Sequence, residues 1–274
     1  RSSSTFPRPR RHPRGAKDDM ARRYDSSTTV FSPEGRIHQV EYAIEAIGNA
    51  GTCIGLIGDS CLVLAAVRKV TSTLLAPART SDKTYKLDDH VSCLVAGLTA
   101  DANILINQAR LAAQRYRYAY QEPMPVEQLV ERVCNYKHAY TQFGGLRPFG
   151  VAFLFAGWDS QHGYQLYQSD PSGNYSGWRA TVIGQNNGAG KSLLKDNYTD
   201  GMGVEALLEL AAKCLLKTMD TTTPSPEKVE FSVVRRDEGG TMQQTILSDA
   251  EAGAILERVA EAVEKEAREG RGDA

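Results

Sequence analysis

The chain has 274 residues, 41% of them apolar and 24% charged, with a formal net charge of -1. That length buries a sizeable core in one large domain or two small ones, with the composition of an ordinary soluble globular protein. The near-neutral balance argues against a whole-chain nucleic-acid binder, and no apolar run approaches the ~20 residues of a spanning helix.

Residues 1–19 are rich in Arg, Ser and Pro and read as disorder, with no apolar stretch of the kind a signal peptide carries. Arg8, Arg10, Arg11, Arg14 and Lys17 form a basic cluster. A nuclear-import or nucleic-acid arm is one reading. The favoured one takes Met20 as the natural start, with residues 1–20 a disordered basic extension whose first 19 residues precede the native chain. Ser32-Pro33-Glu34-Gly35 is a turn or helix-start signal. Ile37, Val40, Ile44 and Ile47 then follow at steps of 3, 4 and 3, which predicts a helix with one apolar stripe to about Gly48.

Residues 51–57 and 61–67 are rich in β-branched and aliphatic side chains and flank Gly58-Asp59-Ser60, so they predict a hairpin. Residues 91–97 predict another strand. Asp101 to Tyr120 is expected as a helix with Ile104, Leu105, Leu111 and Ala112 on one side. A second helix is expected over 126–143, with Val126, Leu129, Val130, Val133, Tyr140 and Phe143 at helical spacing. Strands follow at about 149–157, 163–169 and 178–184, then helices at 188–197 and 203–219. Two strands, 229–235 and 241–246, and a charged helix from 248 complete the chain. There Glu261 with Lys265 and Glu264 with Arg268 make i,i+4 pairs on a solvated face. The order is not strict βαβ alternation and predicts an α+β protein, with sheet in the middle and helices outside.

Cys53, Cys61, Cys93, Cys134 and Cys214 are an odd count with no CxxC pair, which fits buried, reduced thiols in the cytosol or nucleus and no zinc site. Five scattered histidines suggest no ligand set, so no metal or cofactor is expected. The sequons at Asn174 and Asn197 and the tripeptide Arg271-Gly272-Asp273 carry little weight without a secretory signal. Gly184 to Ser192 (GQNNGAGKS) looks like a phosphate loop, but its first glycine stands one residue too early for GxxxxGKS, and a shifted loop cannot aim the same amides. Its small residues are expected instead to let a helix start close against the sheet.

One stretch is specific. Tyr24-Asp25, Thr29, Phe31-Ser32-Pro33, Gly35-Arg36, Gln39 and Glu41-Tyr42-Ala43 resemble, with correct spacing, the N-terminal signature of proteasome alpha-type subunits. Thr141 to Gly145 (TQFGG), Arg147 to Val151 (RPFGV) and Asp170 to Gly173 (DPSG) add to the resemblance, which covers about residues 21–265. RYDSSTTVFSPEGR, AGLTADAN, YQEPMP and LYQSDPSGNYSGW point to one branch within the family.

The resemblance implies a four-layer αββα sandwich of two antiparallel sheets, the N-terminal-nucleophile hydrolase fold. Residues 21–50 would be a gate segment and alpha-type helix, 51–247 the sandwich domain, and 248–274 a charged helix and tail. It implies a non-catalytic structural and gating subunit in ubiquitin-dependent protein degradation, in the cytoplasm and nucleus. Partners would be six other alpha subunits in a seven-membered ring, the beta rings, and the C-terminal tails of regulatory-particle ATPases or other activators, with no nucleic acid or membrane.

The alternatives are an active N-terminal-nucleophile hydrolase and a P-loop-like nucleotide binder. Catalytic siblings use an N-terminal threonine whose own amine is the base. Alignment with them puts Gly51 at the nucleophile position and Val67 at the acidic position, and neither can do that chemistry. Lys83 keeps its type and would instead bind an activator's terminal carboxylate. Tyr24, Asp25, Pro33 and Tyr42 match the family's gate cluster, while Ser26 stands where the family often has arginine, so one possible inter-subunit salt bridge is lost.

Overall fold

The computed structural model describes residues 28–68, 74, 83–143, 145–219, 225–237 and 241–272, with side chains to 262. The basic cluster, Tyr24, Asp25 and Ser26 lie outside them, as do Asp273 and the side chains of Glu264, Lys265 and Arg268. The elements run α1 (His38–Gly48), β1 (Cys53–Ile57), β2 (Cys61–Val67), β3 (Thr84–Asp88), β4 (Val91–Gly97), α2 (Thr99–Tyr120) and α3 (Val126–Gln142). Then come β5 (Val151–Asp159), β6 (Gly163–Ser169), β7 (Tyr175–Gly177), β8 (Ala180–Ile183), α4 (Asn187–Asn197), α5 (Val204–Met219), β9 (Val229–Arg236), β10 (Met242–Ile246) and α6 (Asp249–Gly272).

Two five-stranded sheets form, in the orders β10-β9-β2-β1-β8 and β3-β4-β5-β6-β7, with every pairing antiparallel. Strands β1, β2, β4 and β5 read as nearly continuous apolar runs because both faces are covered. Along β2, Val63 and Ala65 face α4, α5 and α6, while Leu62, Leu64 and Ala66 face the other sheet. In β5, Phe153 and Phe155 face α2 and α3, while Ala152, Leu154 and Ala156 join the inter-sheet core. The period-2 alternation of side chains therefore sorts residues between two hydrophobic interiors. This is the expected αββα sandwich.

Four expectations are corrected. Thr84–Asp88 is a strand missed by pattern: an edge strand of five residues with Lys86 exposed and a register shift at Lys86/Asp88. The strand expected over 178–184 is shorter, Ala180–Ile183, and a strand not expected, Tyr175–Gly177, precedes it. Tyr175–Gly177 pairs with β6 and Ala180–Ile183 pairs with β1, so Trp178-Arg179 crosses from one sheet to the other. On α2, Ile104 and Leu111 are about half exposed, whereas Ala102, Leu105, Ile106, Ala109 and Ala113 form the buried face. Phe143 lies just past α3 and is exposed.

Ser32 to Gly35 is a turn: the Gly35 amide donates to the Ser32 carbonyl at 2.8 Å, and the Ser32 amide to the Arg36 carbonyl at 2.8 Å. Helix α1 begins later and has no side-chain cap. Val40 and Ile47 turn to the core, while Tyr42 and Ile44 stay exposed.

Two family-like motifs brace α2 and α3. Arg147 donates to both Asp101 oxygens at 2.6 and 2.8 Å, and the Gly150 amide donates to Asp101 at 2.9 Å. These contacts hold the Asp101 carboxyl below the usual carboxylate range, the arginine bond being the main cause. In the other motif, Asp170 accepts from the Ser172 amide at 2.8 Å. Gly173, at φ 88°, lies so close to α3 that a Cβ there would sit 2.6 Å from the Cys134 carbonyl.

Candidate functional site

Gly51, Arg68 and Lys83 line one cleft of about 480 Å³, with Ala50, Tyr85 and Leu98 among its other walls. Three chain segments meet there. Gly51 leads into β1, Arg68 follows β2, and Lys83 precedes β3. The first turn of α2 closes one side through Leu98 and Thr99. No aspartate or glutamate is among the lining residues, whereas two are cationic.

Gly51 has no room for a side chain. A Cβ built there would lie 2.6 Å from the Val67 carbonyl oxygen. Val67 is locked in place because its amide donates to the Thr52 carbonyl at 2.8 Å. The neighbouring hydroxyl is also committed: Thr52 is 2% exposed, and its Oγ1 donates to the Gln185 carbonyl at 2.9 Å. Below lies Cys53, whose thiol burial pushes up to about 12, so it carries no thiolate at neutral pH. The five cysteines are all buried and unpaired, and no group of three or more candidate metal-ligating side chains occurs among the described residues.

Arg68 is held from behind by a carboxylate that sequence reading passed over. Glu230 on β9 has a side chain 1% exposed. It accepts from Arg68 Nε at 3.1 Å and from Thr84 Oγ1 at 2.5 Å. Thr84 adjoins Lys83, so one buried carboxylate fixes backbone on both sides of the cleft. The legible signal was position: Val229, Phe231 and Val233 face the helices, which turns Glu230 into the inter-sheet layer. A charge buried there requires partners. Glu230→Gln is expected to cost about 1–2 kcal/mol, read as a lower urea midpoint, because the partner bonds lose their charge assistance.

The remaining expected site residues lie apart. Pro33 is exposed in its turn, and Tyr42 is exposed on α1 with its ring stacked on His38 at 6.4 Å. At the phosphate-loop look-alike, Gly190 sits against β8 and α5, where a Cβ would come within 3.1–3.2 Å of Val182 and Cys214. The Lys191 ammonium lies 5.1 Å from the Trp178 ring centroid. Small residues there seat a helix on the sheet.

The chain belongs to the proteasome subunit family, whose model matches residues 47–234. The N-terminal signature of the A-type proteasome subunits matches residues 24–46 and sets the chain among the alpha-type members. The chain is 57% identical over 238 residues to the alpha type-4-1 proteasome subunit of Oryza sativa subsp. indica, covering 86% of this chain and 95% of that one. It is 61% identical over 215 residues to alpha type-4-A of Arabidopsis thaliana, covering 78% and 86%. It is 56% identical over 237 residues to alpha type-4 of Spinacia oleracea, covering 86% and 95%. The branch that the four sequence stretches pointed to is therefore the type-4 branch. Alpha-type members are structural and non-catalytic, and so is this chain.

Proposed function

We propose that this subunit of the 20S core works as a scaffold, a gate element and a docking site for activator tails. Assembly with other proteasome subunits follows from the family; the finer reading places the chain in a seven-membered ring with six other alpha subunits, stacked on a beta ring. The observation that carries the docking role is the cleft at Gly51. It keeps Lys83 and adds Arg68, and no aspartate or glutamate stands among its described lining residues, which supports an anion as its guest. A chain-terminal carboxylate, such as that of a regulatory-particle ATPase tail, suits an ammonium and a guanidinium together. Tyr24, Asp25, Pro33 and Tyr42 form the proposed gate cluster, with the exposure of Pro33 and Tyr42 supporting a role outside the core. Five buried thiols support residence in the reducing cytoplasm and nucleus.

The test is tail affinity in a reconstituted core particle. Lys83→Ala should weaken binding of a free-carboxylate tail peptide about tenfold, with little change for its amidated form and no loss of subunit incorporation. Equal affinity of wild-type and variant particles would count against the reading.

A further inference from the structure

The opposite end of β1 and β8 carries a second surface that none of these roles uses. Strand β1 runs from the Gly51 cleft to Ile57, about 20 Å along six residues. At that far end lies an open depression of about 550 Å³, lined by Trp178, Arg179, Lys191, Lys195, Tyr198 and Asp200. Three cations face one carboxylate there, on a chain whose formal net charge is -1.

The aromatic walls are held rigidly. The Trp178 amide donates to the Leu166 carbonyl at 2.8 Å, and its indole Nε1 donates to Ser176 Oγ at 2.7 Å. The ring remains 38% exposed, with the Lys191 ammonium over one face. Tyr198 donates its hydroxyl to the Ile57 carbonyl at 2.8 Å. Lys191 and Lys195 stand one turn apart on α4, so both point to the same side. Arg179 pairs with Asp200, which keeps the guanidinium at the rim.

We infer that this depression is a docking surface for an acidic, aromatic-bearing peptide segment of a partner protein. Fixed tryptophan and tyrosine beside arginine is the composition of protein-interface anchors, because such side chains offer large contact area without paying much ordering entropy. The charge balance selects acidic side chains in the partner. Nucleic acid fits poorly: a duplex needs a track of phosphate contacts, and this patch offers three cations interrupted by Asp200.

The probe is a 12-residue peptide of alternating Glu and Tyr with one benzoylphenylalanine, photo-crosslinked to assembled core particles and titrated by fluorescence anisotropy. Crosslinks should map to residues 178–200 of this chain. Lys191→Glu with Lys195→Glu should weaken binding about tenfold at low salt and flatten its salt dependence. Trp178→Ala should remove the crosslink while the particle still assembles. Crosslinks elsewhere, or unchanged affinity after charge reversal, would overturn the proposal. So would displacement of the peptide from this site by duplex DNA or phosphatidylserine vesicles at lower concentration than the unlabelled peptide itself requires.

Discussion

Gly51→Thr is expected to yield no peptidase activity and to lower stability by about 3 kcal/mol, the upper end of ordinary overpacking. By the resemblance, the substitution restores the residue type of the catalytic siblings, so chemistry alone would suggest a gain. Geometry forbids it. The first added carbon meets the Val67 carbonyl at 2.6 Å, and that carbonyl belongs to a backbone hydrogen-bonded to Thr52 and thus to the same hairpin. Relieving the contact requires β1 and β2 to separate at their base. For a chain of this size, 3 kcal/mol corresponds to a midpoint fall of about 6–12 °C. Gly51→Ala should lose nearly as much, because the clash lies at Cβ and not at the hydroxyl. Calorimetry of both variants beside a fluorogenic-peptide assay decides the matter. A Gly51→Ala chain as stable as wild type would show that the strands open freely at this point.

Lys137→Met is expected to destabilise the chain by about 2–4 kcal/mol at neutral pH, and by more in mild alkali. Lys137 is fully buried, and its ammonium donates to the Val151 carbonyl at 3.2 Å, Ser169 Oγ at 2.8 Å and the Asp170 carbonyl at 3.1 Å. Methionine fills the volume but leaves three acceptors without that donor. Burial holds the lysine's pKa down to about 8. Its folded value therefore lies below its unfolded one, and between about pH 8 and 10.5 the unfolded chain binds the extra proton. In that window wild-type stability gains from this residue as pH rises, because the neutral amine keeps two of its three donations without a buried charge. Below pH 8 the burial cost is fully present. The variant lacks this dependence, so the difference in denaturant midpoint between the two should widen from about pH 7 to about pH 9. A constant difference would show that the amine is neutral throughout or reached by water.

The layering was legible because the strong signals were periodic. The hairpin at Gly58 to Ser60 and the helices over 126–142 and 204–219 followed from spacing of apolar residues. What spacing could not show was which sheet a strand joins. Tyr175 to Ile183 carries no internal mark that Trp178-Arg179 changes sheets, since that is decided by pairing with β6 on one side and β1 on the other. The outward turn of Ile104 and Leu111 was equally hidden, because an apolar residue on a helix reads the same whether it faces this chain's core or another surface. Gly51 and Lys83 entered through resemblance. Their meeting in one cleft, and the presence of Arg68, depend on three segments brought together by the hairpin and the sheet contacts. Glu230 was visible as a lone acid in an apolar strand, but its partners stand 162 and 146 residues away.

The change of sheet at Trp178-Arg179 has a mechanical consequence. Along that side two residues of backbone tie the edge strand of one sheet to the edge strand of the other, as a spine ties two covers. Along the far side, the sheets are joined by side chains: Thr84 to Glu230 at 2.5 Å and Ser92 to Gln244 at 2.7 Å. Thr84 adjoins Lys83 and Glu230 holds Arg68, so these side-chain links also anchor two walls of the Gly51 cleft.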